Sequence, residues 1–401
     1  MTARSIAAAD VGISVNRVQS RMSFLDNLKA CLAVLVVLHH AGQPYRPTGG
    51  SWPVMHAEKF RLLGPFFHTN ASFFMGLFFL ISAYFLPIAF ERKGAAGFLT
   101  DRFRRLGLPV LAFGLLLFPA LHHYLGGKAW ADSFLPFEWA HLWFLGHLMV
   151  YALLYTAYRL WRGNATGATC APSAFPGNLT LLTYAVLLAL VDMVVRIWYP
   201  IDRWERFIFT AELGHLPQYA SLFLFGLVAS SRQWLDKISA RTGRIWLGIA
   251  IAATLARFCY TLAHADFISA DTWWASLAWN LWEALICTGM CVGLPYWFSR
   301  HGKWNGSFAR FAGRSAFSLY VMHLPILVVI QMALEHSGLG PLTLTILTGA
   351  LTVALCYAIH AAYEIASAKL AGKGRRGMRL TTEPMEREHL QMEKTPQHGV
   401  R

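Results

Sequence analysis

The chain has 401 residues, 56% of them hydrophobic and only 14% charged, with a mean hydropathy of +0.41. Soluble globular domains carry about 25% charged residues, so an ordinary soluble domain is excluded. The net charge of +14 raises nucleic acid as a partner, but the basic residues sit in short loops between long apolar runs, which excludes that class too. Of the six cysteines, Cys31, Cys259, Cys287, Cys291 and Cys356 lie inside apolar runs, so neither a disulfide framework nor a metal site is expected.

Residues 1–22 are polar and mixed, and read as a cytoplasmic segment. The first apolar run lies within MSFLDNLKACLAVLVVLHHAGQPY, Met22 to Tyr45. It is short enough to imitate a signal-peptide core, but no small-residue cleavage site follows it, so it reads as a retained membrane helix near 28–43. Further runs suited to a hydrocarbon core about 30 Å thick lie near 66–89, 107–125, 139–160, 179–199, 214–230, 244–264, 273–298, 315–335 and 341–367. Backbone groups in lipid must bond internally. The expected fold is therefore an all-α, polytopic integral membrane bundle of about ten transmembrane helices over residues 23–370. Prolines within the runs (Pro87, Pro109, Pro119, Pro217, Pro295, Pro325) are tolerated in such helices. The polar, charged tail at 371–401 is expected to be disordered, its Lys/Arg cluster resting on anionic lipid. No internal repeat is visible, which weighs against transporter folds built from inverted halves.

The basic residues fall in alternate loops: Arg92, Lys93, Arg102, Arg104 and Arg105, then Arg159 and Arg162, then Arg232 to Arg244, then Arg300 to Arg314, then the tail. The positive-inside rule makes that side cytoplasmic, with both termini on it, and only an even number of spans keeps the alternation. The expected location is the cell membrane.

Several polar residues interrupt the apolar frame. Lys29 and His40 are eleven residues apart, about three helical turns or roughly 16 Å of rise, with only about 20° of residual rotation. A cation at one membrane surface and a base further along the same face form a plausible catalytic track; an interfacial Lys with a packed His is the plainer alternative. Arg102, Arg104 and Arg105, in what reads as a loop before the third span, suit the phosphates of a cytosolic coenzyme, lipid headgroups, or topology alone. Asp192 and Arg196, four apart, are expected to pair. Glu283 and Glu364 are isolated acids that either pair with Arg257 or orient a histidine. Trp52, Tyr199 and Trp204 are sugar-stacking or interface aromatics, and His122 and His123 read as interfacial.

The succession FLDNLKACLAVLVVLHH, FFLISAYFLPIAFERKG with FLTDRFRRLGLPVL, HLWFL and SLYVMHLPI resembles the membrane-bound acyltransferase type 3 family from about Ser23 to Leu370. That family comprises O-acyltransferases of cell-envelope saccharides, including glucan-modifying members. Its first-helix motif, an Arg followed at eleven residues by a His, falls on Lys29 and His40, so here Lys replaces Arg and loses the bidentate fork. His39 is the candidate if the register slips by one. The family's Arg-x-x-Arg motif falls on Arg102 and Arg105, with Arg104 between them, and implies acyl-CoA contact. Ala83 stands where relatives often carry Gly.

The resemblance implies an enzyme moving an acyl group, acetyl or succinyl, from cytosolic acyl-CoA to a hydroxyl of a carbohydrate or cell-envelope glycan. His40 is then the general base. His141, Trp143 and His323, in HLWFL and SLYVMHLPI, are candidates for acceptor binding or for structural hydrogen bonds. No permanently bound cofactor, metal or nucleic acid is expected. The rival class is a proton-coupled transporter or permease using the same buried histidines and acids; a partner subunit without activity is a third reading.

Overall fold

The computed structural model describes residues 23–47, 52–124, 126–134, 137, 139–163, 173–206, 210–263 and 272–392, with side chains to 369. The expected cytoplasmic segment 1–22 lies outside the described residues, as do residues 393–401 and every side chain of the expected tail.

Helix α1 (Ser23–Ala41) has Asp26 in its first turn, the favourable end of the helix dipole for an acid, and His39 and His40 in its last. Its start is tied to the turn between two later helices, because Asn27 Nδ2 donates to the carbonyls of Gly302 (2.7 Å) and Trp304 (3.0 Å). After α1 come α2 (Leu63–Ala71) and α3 (Phe74–Arg102).

Within α3, Gly94 takes φ 66° and ψ 171°, a conformation that L side chains rarely adopt, and the helix breaks there. Phe79 on the first half packs on Trp143 and Phe144, while Phe113 and Phe118, beyond the break, pack on His141. Residues before and after Gly94 thus reach the same end of one neighbouring helix, so the chain reverses at this single residue. Phe90 and Phe98 meet across the bend at 5.5 Å.

The returning arm contains two widened, π-helical turns, Phe103–Gly107 and Phe113–Leu117, followed by α4 (Leu108–Ala112) and α5 (Phe118–Tyr124). Each widened turn precedes a proline, Pro109 or Pro119. A proline ring clashes with the carbonyl four residues back, here those of Arg105 and Leu115, and a π-turn makes room for it. The sequence placed Arg102, Arg104 and Arg105 in a loop before a span starting near 107. That expectation is corrected: the turn is at Gly94, and the three arginines lie on the helical arm that follows it.

A short helix α6 (Trp130–Ser133) precedes α7 (Trp143–Trp161) and α8 (Asn178–Val195). A small antiparallel hairpin of β1 (Trp204–Arg206) and β2 (Thr210–Glu212) then departs locally from the all-α expectation. The bundle continues with α9 (Leu216–Arg232), α10 (Ala240–Leu262), α11 (Trp273–His301), α12 (Ser307–Leu334) and α13 (Pro341–Met392).

Eight helical stretches among the described residues are long and apolar enough to cross a membrane. The longest, Leu63–Tyr124, crosses twice because of Gly94. Helix α9, at 17 residues, falls just short on length but packs against α3 so tightly that a Cβ on Gly226 would lie 2.4 Å from the Leu80 carbonyl oxygen. Small residues at such crossings are how membrane helices approach closely. With these two additions the expected traverses are accounted for.

Candidate active site

The end of α1 meets the middle of α12. His323 Nε2 lies 3.0 Å from His40 Nδ1, and His323 Nδ1 lies 2.6 Å from the Tyr320 carbonyl oxygen. A carbonyl only accepts, so His323 Nδ1 carries the proton and the neutral ring offers Nε2 as an acceptor. His40 Nδ1–H then donates to it, and the lone pair of His40 is left on Nε2. The sequence thus builds an imidazole pair whose tautomers are fixed by one backbone carbonyl.

His141 completes the group. Its ring is 4.7 Å from that of His323, its Nε2–H donates to the Val321 carbonyl at 3.0 Å, and its own carbonyl accepts from the Tyr320 hydroxyl. The same reasoning leaves a buried lone pair on His141 Nδ1, which has no partner among the described residues. Pro325, two residues past His323, leaves a carbonyl in the preceding turn without its usual donor, which suits a site that spends backbone carbonyls on imidazoles.

Trp52 lies over His40, ring centroids 5.7 Å apart and planes 11° off parallel. Its indole N–H donates to Gln331 Oε1 (2.8 Å), and Gln331 Nε2 donates to the Ala41 carbonyl (3.1 Å). His39, one residue from His40, instead packs its ring against Phe67 (4.8 Å) and Phe74 (5.0 Å), and its Nδ1 is buried with no partner among the described residues.

At the other end of α1, Lys29 Nζ pairs with Asp26 (2.7 Å) and lies 5.4 Å from the Phe85 ring. On the arm after Gly94, Asp101 holds both Lys93 (2.6 Å) and Arg105 (3.1 Å). Arg102 lies over Phe98 at 5.0 Å with its Nε buried and unpartnered among the described residues, and Arg104 is exposed. The structure therefore sets the cations and the imidazoles at opposite ends of α1. Trp143 does not join the imidazole group: it stacks on Tyr219 (5.5 Å) and meets Trp204 (5.6 Å). His123 stacks on Trp130 at an exposed edge.

A second polar cluster joins α8, β2, α9 and α11. Arg196 reaches Glu283 (2.5 Å), Asn280 (2.8 Å) and the Gly214 carbonyl (3.0 Å). His215 is held between Glu283 (2.8 Å) and Glu212 (3.0 Å), and Glu212 also accepts from the Asp202 backbone N–H (2.7 Å). Burial alone would lower the His215 pKa, but the two carboxylates outweigh it and raise it to about 10. Burial likewise pushes Glu212 up, and His215 with the Asp202 amide reverses this to leave it below the usual carboxylate range.

One pairing expected from sequence is corrected, and of the alternatives left open for Glu283 and Glu364 neither pairing with Arg257 is found among the described residues. Arg196 does not pair with Asp192: it caps α8 just past its last turn, and from there its guanidinium turns to Glu283. Asp192 stays buried, with Oδ1 unpartnered among the described residues. Glu283 orients a histidine, as one alternative held, but its cation is Arg196 and not Arg257, which donates to Thr261 (2.7 Å) and approaches His68 (3.4 Å). Glu364 pairs with Arg314 on the neighbouring helix (2.9 and 3.2 Å) and lies 3.5 Å from the His360 ring, so the histidine alternative stands for it too.

A family model described as an acyltransferase domain matches residues 22–361. The chain is similar to glucans biosynthesis protein C of Escherichia coli strains SMS-3-5 / SECEC, K12 and O9:H4 HS. Each is 29% identical over 273 residues, which are 63% of this chain and 68% of the relative. No solved structure gives a significant match.

Proposed function

The chain belongs to the acyltransferase family whose domain spans residues 22–361, and from that premise we propose that it moves an acyl group from cytosolic acyl-CoA to a hydroxyl of a cell-envelope glycan. Membership makes it an integral membrane transferase and sets the transporter reading aside. The names of its relatives, which concern glucans, favour a carbohydrate acceptor, with acetyl or succinyl as the group moved.

The observation that carries the reading is the 3.0 Å contact between His40 and His323. Because His40 Nδ1–H is spent on His323, its Nε2 is the free base. It takes the proton of the acceptor hydroxyl as the oxygen attacks the thioester carbonyl; the tetrahedral intermediate then expels the CoA thiolate, which recovers the proton from His40. His323 fixes the tautomer and shares the charge of the imidazolium. The unpartnered Nδ1 of His141 supplies an acceptor for a further sugar hydroxyl, and Trp143 with Trp204 offers ring surface for the saccharide beyond it. His39, packed among phenylalanines, takes no part.

The donor's phosphates suit Arg102, Arg105 and Arg104, since guanidiniums bind phosphate through paired hydrogen bonds. Lys29 stands at the same end of α1, and its rise to His40, about 16 Å, is the path along which the thioester arm reaches the base. Positive-inside charge favours the cytoplasmic side of the cell membrane for that end and for both termini.

The test is transfer from radiolabelled acyl-CoA to a membrane glycan extract by purified protein. His40→Ala is expected to abolish label in the glycan, and Arg105→Ala to weaken donor use. Transfer unaffected by both changes would sink the site, and no CoA release by the unaltered protein with any acceptor would sink the activity.

A further inference from the structure

We infer that Trp52 is a positioning residue that closes over His40, so that the acyl group passes to a carbohydrate hydroxyl and not to water. The inference rests on His40 as the base and adds a part that the family match does not assign.

A tryptophan beside a membrane surface ordinarily turns its N–H outward to headgroups and water. Trp52 does the reverse. Its N–H is bonded inward to Gln331, whose side chain is itself 1% exposed on α12. A buried amide is costly unless every polar atom is engaged, and Gln331 engages both of its ends. Its oxygen takes Trp52, and its nitrogen caps the Ala41 carbonyl, one of the last carbonyls of α1 that lack a helical partner. Three elements are thus pinned at one point: the end of α1 that carries His40, the helix that carries His323, and the segment that carries Trp52.

That segment is itself strapped down. Lys59 Nζ donates to the Pro44 carbonyl (2.9 Å), the Phe60 amide donates to the Tyr45 carbonyl (2.8 Å), and Val54 is buried. The indole therefore covers a face of the imidazole whose Nδ1 edge is already bonded to His323. This leaves His40 its Nε2 edge and one orientation.

Water exclusion is what such a cover does in acyl transfer. An acyl thioester beside an activated water gives a carboxylic acid and free CoA thiol: the water oxygen forms the new bond to the acyl carbon, the carbon–sulfur bond breaks, and the proton held by His40 goes to the sulfur. Replacing water by a sugar hydroxyl in the same steps gives the ester. The base serves both, so the partition depends on what can reach it.

The experiment measures, with acyl-CoA and glucan, both label in glucan and total CoA release for the full-length protein in detergent. Trp52→Ala is expected to lower the ratio of transfer to hydrolysis roughly tenfold, a barrier difference on the scale of one desolvated ring contact. Trp52→Phe, which keeps a ring and loses the N–H, should recover most of the ratio. Gln331→Met should shift it in the same direction by a smaller factor. Transfer and hydrolysis falling in equal proportion in Trp52→Ala, or an unchanged ratio in all three variants, would overturn the inference. CoA release undiminished in His40→Ala would instead remove the base reading beneath it, and the two failures are read from different variants.

Discussion

At the end of α1, three imidazoles bond, among the described residues, to one another and to backbone carbonyls, whereas between α8, α9 and α11 one imidazole is gripped by two carboxylates beside an arginine. Histidine is common to both clusters, yet its partners give it opposite uses. A carbonyl fixes which nitrogen holds the proton and leaves the other lone pair for chemistry. Two carboxylates within 3.0 Å of its two nitrogens favour the doubly protonated ring of His215, which has no lone pair to offer. The first arrangement leaves a lone pair free for the proposed base; the second favours a cation that ties four elements together.

The most severe way to break this contrast is Glu283→Ala. It strips Arg196 and His215 of a shared carboxylate in a site where the side chains are 7%, 3% and 5% exposed for Arg196, His215 and Glu283. Removing one partner of a buried pair costs about 3–5 kcal/mol. The expected result is a collapse in the yield of monodisperse protein and in melting temperature in detergent. A Glu283→Ala protein that melts normally but no longer transfers acyl groups would place this cluster in the chemistry and erase the distinction.

The matching change in the first cluster is His323→Phe, which keeps a ring in place and removes the acceptor for His40 Nδ1–H. Transfer is expected to fall roughly a hundredfold in kcat, the lower range for general-base assistance, with KM for acyl-CoA little changed. Steady-state kinetics at saturating donor decide it. A loss confined to KM would make His323 a binding residue only.

The first cluster was partly legible in the sequence, and of the second only the alternative that Glu283 orients a histidine. Run lengths and loop charges gave the bundle, and the Lys29–His40 spacing singled out a histidine that the structure brings to within 3.0 Å of His323. The partner of His40 is 283 residues away, so only the SLYVMHLPI motif marked it. Arg196 and Glu283 are 87 residues apart, and the local rule that pairs charges four apart favoured Asp192, because it assumes that the helix continues through Arg196. The reversal between the second and third spans was expected, but not its place: the chain stays helical on both sides of Gly94 and turns at that single residue, so the loop expected up to about 107 is helix. Gln331 carried a signal that could have been used, since an amide deep in an apolar run needs partners.

A pH series sharpens the contrast further. His215 is raised from its ordinary 6.5 to about 10, so its contribution to stability is full below about pH 6.5 and is lost as pH rises through about 10. The melting temperature should therefore drift down across that window, and His215→Gln should flatten the drift while lowering the melt at neutral pH. A slope identical in both proteins would mean that the two carboxylates do not hold His215 charged.

The smallest expected effect concerns Lys29, where this chain carries lysine in place of the family's arginine. Its bond to Asp26 is 2.7 Å long, but the side chains are 31% and 56% exposed. Solvent screening then limits the pair to about 0–1 kcal/mol, and Lys29→Ala should scarcely move the melt. The proposed donor site gives it a different effect: at roughly 16 Å of rise from His40, the ammonium is too distant to touch the reacting carbonyl, yet it shares an end of α1 with the arginines proposed to hold the donor's phosphates. Lys29→Ala should raise KM for acyl-CoA severalfold and leave kcat nearly intact. Lys29→Arg should restore or lower KM, because a guanidinium offers phosphate two parallel donors where an ammonium acts as a point charge. A fall in kcat at saturating acyl-CoA would instead carry Lys29 into the reaction itself, and the separation between a donor-binding end and a base-bearing end of α1 would have to be given up.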